Sequence, residues 1–116
     1  MTQLKLDGII PATVLPMTAN SEIDVDVLKD YMKWVLKFGI VGLAINVDTG
    51  EGPHLYNEEK MKVLKIVKDV VGNKVPIIAG LQGGFTAQAI KIAKETQEAG
   101  AARVQQTARI LNTAGL

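Results

Sequence analysis

The chain has 116 residues, 47% hydrophobic and 22% charged, which places it among globular rather than disordered chains. Thirteen Lys and Arg against twelve Asp and Glu leave a formal charge of +1, so no basic surplus argues for a nucleic-acid partner. Zero cysteines and one histidine, His54, exclude a disulfide scaffold, a thiolate zinc site, a cysteine nucleophile and any multi-imidazole centre, and the length falls short of the roughly 250 residues of a complete (β/α)8 barrel.

Residues 1–8 carry no basic-then-apolar signal pattern, and no run of about 20 apolar residues follows, so a cytoplasmic protein with no membrane partner is expected. Ile9 to Leu15 is a first short apolar run of the kind that suits a strand buried on both faces, and Pro16 to Ser21 reads as a plain turn after it. From Val25 to Phe38 the residues Leu28, Tyr31, Met32, Val35 and Phe38 share one helical face, with Asp24 as N-cap and Gly39 as the stop. Trp34, Tyr31 and Phe38 are expected to be packing residues of this helix. Val41 to Val47 is a second apolar run. A second helix opens with Asn57 as its cap, and Glu58 and Glu59 suit the positive end of its dipole. Val63, Ile66, Val67, Val70 and Val71 form its buried stripe, and Gly72 ends it. Val75 to Ala79 is a third apolar run. A third helix runs from Thr86 to about Ala99, with Ile90 and Ala93 on one face and Gly100 as its stop.

The apolar runs begin near residues 9, 41 and 75, a repeat of about 33 residues, which is the length of one strand-plus-helix unit of a parallel sheet. A fourth strand is due near residue 103. Arg103 to Leu111 alternates poorly and sets Gln105 and Gln106 where a buried strand needs apolar residues, whereas Val104, Ala108 and Leu111 fit helical spacing. The expectation is therefore an α/β domain over residues 1–101 and a divergent helical tail over residues 102–116.

Sites in parallel α/β folds gather at the carboxyl ends of strands. The richest such loop is Asn46 to His54, where Asp48, Thr49 and Glu51 are gathered with Gly50 and Gly52. The glycines permit backbone conformations that turn N–H groups toward a ligand, and Thr49 adds a hydroxyl, a combination suited to a small carboxylate or phosphate. The segment matches neither the GxxxxGK[ST] nor the GxGxxG pattern, and a plain strand-to-helix turn with Asp48 in an Asx-turn is the alternative. His54, beside Pro53, is expected to be exposed. Gly80 to Thr86 carries three glycines that suit either an anion cradle or a tight turn. No lysine lies within an apolar run, where Schiff-base chemistry would need it. Lys60 is expected to be solvated, like its neighbours Lys62, Lys65 and Lys68.

Taken together, Gly8 to Met17 resembles a Gly-x-x-x-Ala-x-x-Thr-Pro-Phe strand, Asp24 to Leu28 an Asp-x-x-x-Leu helix entry, and Gly39-Ile40-Val41-Gly42-Leu43 a Gly-x-x-Gly-Leu element. Val47-Asp48-Thr49-Gly50-Glu51 is similar to Gly-Thr-Thr-Gly-Glu, followed by Leu55 and Glu58-Glu59 for Leu-x-x-Glu-Glu. Val75 to Gly80 and Glu98 to Ala101 complete the series. Over about residues 8–101 the chain resembles the dihydrodipicolinate synthase/N-acetylneuraminate lyase family of class I aldolases. The resemblance implies the first three βα units of a (β/α)8 TIM barrel in a homo-oligomer. It also implies a lyase that binds pyruvate or another 2-keto acid as a Schiff base, with no metal or organic cofactor. By the same resemblance Thr49 holds the substrate carboxylate through its N–H and hydroxyl. Asp48 replaces a threonine that helps a tyrosine relay a proton, and a carboxylate there repels an anionic substrate. Val47 replaces a glycine and Leu15 a threonine.

The family's catalytic tyrosine follows strand four and its Schiff-base lysine lies on strand six, so the chain is expected to be inactive alone and to hold substrate-binding residues, Asp48 and Thr49, but no catalytic ones. The change of character near residue 102 has the look of a shifted frame or an early stop. Two non-catalytic alternatives stand beside this reading. One is a short α/β module that binds an anion at Thr49, Gly50 and the Gly83-Gly84 loop. The other is a self-associating piece that exposes an unfinished sheet.

Overall fold

The computed structural model describes residues 7–82 and 86–106. In chain order its elements are α1 (Val25–Val35), β1 (Leu43–Ile45), α2 (Asn57–Val71), β2 (Ile77–Leu81), α3 (Thr86–Glu98) and β3 (Arg103–Gln106), with short 3-10 turns at Leu36–Phe38, Asp48–Gly50 and Gly52–His54. The three strands form one parallel sheet in the order β1-β2-β3.

Capping and apolar spacing explain the helices. The Asp24 side chain accepts from the Val27 N–H at 3.2 Å and so satisfies one of the free donors at the start of α1. Leu28, Met32 and Val35 face inward, and Gly39, with φ +65, ends the 3-10 turn that follows. The cap of α2 is Tyr56 rather than Asn57, and the Glu59 carboxylate reaches back to accept the Tyr56 N–H at 2.9 Å. Asn57 instead ties α2 to α3, its Nδ2 donating to Glu95 Oε2 at 2.8 Å. The buried stripe of α2 is Lys60, Val63, Leu64, Val67 and Val71. In α3 the buried side chain is Thr96, whose hydroxyl donates to the Ile92 carbonyl at 2.6 Å, while Ile90 is exposed.

Leu28, Met32, Leu43, Ile45, Val63, Leu64, Val67, Val71, Ile77 and Ala79 make one core between the helices and one face of the sheet. Cross-strand register puts Ala12, Ala44, Ile78 and Arg103 in a row on the opposite face. Tyr31 keeps its expected packing role, partly buried against the core, whereas Trp34 and Phe38 depart from theirs. Trp34 and Phe38 are 55% and 61% exposed, and the three rings pack on one another along the outside of α1, with Tyr31 and Trp34 stacked at 6.3 Å and Trp34 and Phe38 edge-on at 4.8 Å. Phe38 leaves the buried face because the helix tightens into a 3-10 turn before reaching it.

Two strand expectations need correction. The first apolar run is extended but makes only one bridge, Ala12 to Ala44. There the Ala44 N–H donates to the Pro11 carbonyl and the Thr13 N–H to the Ala44 carbonyl. A continuing ladder would bring the Gly42 N–H to the Ile9 carbonyl, but the Val41 N–H is there instead, so the register slips beside Pro11, which has no N–H to offer. The second correction concerns the expected helical tail in place of strand four. Arg103–Gln106 is a strand, paired in parallel with β2 from Ile78↔Arg103 to Leu81↔Gln106, and the Ala102 N–H donates to the Ile77 carbonyl at 2.8 Å. Backbone groups along the outer edge of β2 demand partners whatever the side chains alongside them, and that demand outweighs the poor apolar pattern. Residues 107–116 of the expected tail lie outside the described residues. Among the described residues, no helix is long and apolar enough to cross a membrane.

Candidate functional site

β1 ends at Ile45, and the chain then turns at Asn46, whose backbone is left-handed at φ +60. A 3-10 turn over Asp48–Gly50 follows at once. The Val47 carbonyl accepts the N–H groups of Gly50 and Gly52, and the Asp48 carbonyl accepts that of Glu51. These bonds close the turn tightly. Among the described residues, the N–H groups of Asp48 and Thr49 have no main-chain partner. These two amides sit next to the Thr49 hydroxyl at the carboxyl end of a parallel sheet. The hydroxyl donates to the Ala12 carbonyl at 3.2 Å, which links the turn to the first extended segment.

Asp48 and Thr49 are thus side by side and exposed, as neighbours on one turn must be. His54 is exposed on the next turn, as expected. In the first loop the Thr18 hydroxyl accepts the N–H groups of Asn20 and Glu22, each at 3.3 Å, which is an ordinary side-chain-stabilised turn. Gly83 and Gly84 lie outside the described residues.

Below the turn lies a polar cluster that sequence reasoning missed. Lys60 is 6% exposed and Asn46 2% exposed. Lys60 Nζ donates to Gln82 Oε1 at 2.6 Å, Gln82 Nε2 to the Asn46 carbonyl at 3.5 Å, and Asn46 Nδ2 to the Lys60 carbonyl at 3.1 Å. Burial pushes the Lys60 amine below its ordinary value by stripping water from the charged form. The expectation of a solvated Lys60 is therefore wrong. A usable signal existed, since Lys60 precedes Val63, Leu64 and Val67 by three, four and seven positions, the spacing of the buried face of α2. Gly52 and Gly80 close the cluster, because a Cβ on either would run into the Asn46 carbonyl oxygen.

The chain is matched by the Dihydrodipicolinate synthetase family over residues 5–107 and belongs to that family. It is 38% identical over 93 residues to a 4-hydroxy-tetrahydrodipicolinate synthase of Bifidobacterium animalis subsp. lactis, and 37% identical over 94 residues to that of Rhizobium meliloti. These matches take in 80% and 81% of the chain but 30% and 32% of the relatives, so the chain spans about a third of their length. Among solved structures it superposes on a dihydrodipicolinate synthase from Bacillus anthracis with a TM-score of 0.84 and 27% identity, over 92% of this chain and 38% of that one. It also superposes on YagE, a family member from Escherichia coli K12 solved in complex with pyruvate, with a TM-score of 0.79 and 27% identity, over 85% of this chain and 33% of that one.

Proposed function

We propose that the chain supplies the substrate-carboxylate seat of a Schiff-base carbon–carbon lyase acting on pyruvate or a related 2-keto acid, and that it is inactive alone. On this reading the parallel sheet is the opening of a (β/α)8 barrel, the protein is cytoplasmic and tends to self-associate, and no cofactor takes part. The observation that carries the proposal is the pair of Asp48 and Thr49 amides, which have no main-chain partner among the described residues, beside the Thr49 hydroxyl at a strand end. A keto-acid carboxylate would accept from the Thr49 N–H, while the hydroxyl proton swings off its long bond to the Ala12 carbonyl. Family membership and the pyruvate complex of YagE point to the same ligand class. Inactivity alone is supported by the described strands, LAI, IIAGL and RVQQ, which hold no lysine to form the imine.

The test titrates pyruvate into the full chain and follows the Thr49 amide by NMR, with borohydride trapping and intact-mass measurement in parallel. Expected are a saturable shift of Thr49, its loss in Thr49→Val, and no covalent adduct. Asp48→Asn should tighten binding several-fold at low salt, with the gain fading as salt screens the repulsion. A stable lysine adduct would overturn inactivity, and an unmoved Thr49 at millimolar pyruvate would overturn the seat.

A further inference from the structure

We infer that Lys60 and Gln82 are positioning residues that hold the Asp48–Gly50 turn in place by fixing the Asn46 carbonyl. The three hydrogen bonds of the cluster form a closed ring: Lys60 side chain to Gln82, Gln82 to the Asn46 backbone, and the Asn46 side chain back to the Lys60 backbone. The ring joins the first turn of α2, the end of β2 and the end of β1, three places far apart in sequence.

Two features make the ring more than a filled space. Asn46 holds a left-handed backbone, uncommon for residues other than glycine though more accessible to asparagine than to most, and the turn begins on the next residue. Its carbonyl is approached by Gly52 and Gly80 so closely that no side chain could replace either glycine and support it from those sides. Orientation of the Asn46–Val47 peptide therefore rests on Gln82, and Gln82 is in turn held by Lys60. Moreover, Lys60 is a buried residue whose part-buried amine has no carboxylate paired to it among the described residues. For stability alone, an apolar side chain on that face of α2 would serve better, since burying an unpaired cation is costly. An amine at this position fits a role in geometry.

That the turn is a binding site rests on the proposed function, but the hold of the ring on the turn does not. The test uses amide NMR spectra of the full chain and of Lys60→Met, Gln82→Met, the double variant and Lys60→Arg, with Val71→Ala as a core-destabilised control. In folded Lys60→Met and Gln82→Met, the Val47 to Gly52 amides should move beyond their line widths. The double variant should move them no further than the larger single change, and Lys60→Arg should restore them toward wild type. Val71→Ala should leave them in place. Turn amides that stay put in the folded single variants, or shifts that simply add in the double, would overturn the inference. If Lys60→Met does not fold, Gln82→Glu decides alone, because it keeps the acceptor for Lys60 but removes the donor to the Asn46 carbonyl: moved amides support the ring and unmoved amides refute it. A wild-type turn deaf to pyruvate together with variant turns that move would end the carboxylate seat and leave the ring standing.

Discussion

At the scale of single residues, the Asn46 carbonyl is where the described glycines make their closest approach. Gly52 and Gly80 both touch it where any Cβ would collide with backbone, which cannot swing aside as a side-chain tip can. Gly80→Ala and Gly52→Ala should each cost about 3 kcal/mol, the upper end of ordinary overpacking, as read from urea denaturation midpoints. Lys60 adds a pH signature. Its amine titrates lower in the folded state than in the unfolded chain, so between the two values the unfolded chain binds more protons. Stability should therefore rise as pH rises through the alkaline range just below the ordinary lysine value. Lys60→Met should flatten that rise, and a rise of unchanged size in the variant would deny Lys60 its part. Little of this cluster was open to sequence reading. Gln82 meets Lys60 and Asn46 only through the fold, and nothing local marks such a contact. Asp48 and Thr49, by contrast, are neighbours in the chain, so their proximity required no tertiary knowledge.

At the scale of elements, helices were legible more fully than strands: the apolar runs Val41 to Val47 and Val75 to Ala79 hold β1 and overlap β2, but the two ends of the sheet departed from expectation. The Asp24 cap, the inward Leu28, Met32 and Val35, and the Gly39 stop all lie within the segment, and the structure keeps them, while Phe38 leaves the buried face. Asp24→Ala should accordingly cost about 1 kcal/mol, the usual worth of a side-chain cap, with α1 otherwise intact by circular dichroism. Strands depend on what lies alongside. The Ile9 to Leu15 run looked apolar enough, yet Pro11 cuts the exchange of hydrogen bonds to a single bridge. Arg103–Gln106 looked unfit for a strand, yet it pairs with β2 along its whole length through main-chain groups that its side chains neither make nor prevent.

At the scale of the whole molecule, α1 and α2 cover one face of the sheet, while the row Ala12, Ala44, Ile78 and Arg103 lies on the other. Ile9 and Val14, on the first extended segment, are 72% and 56% exposed. Parallel sheets are ordinarily covered on both faces, so association through this surface is the expected outcome. Sedimentation equilibrium at micromolar concentrations should show species heavier than the 12.5 kDa monomer, and Val14→Lys should shift the distribution toward monomer. A strictly monomeric wild type would oppose this reading.

The aromatic ladder on α1 has a practical result. Trp34 is the chain's one tryptophan, and its ring sees Tyr31 on one side and Phe38 on the other. Its emission is therefore a local gauge of the helix layer and its 3-10 end. A fluorescence melt would record the loosening of that layer and stay silent while the strand-end turn opened and closed. Hydrogen exchange at Thr49 would time that opening separately, so disagreement between the two clocks would measure how independently the turn and the helices breathe.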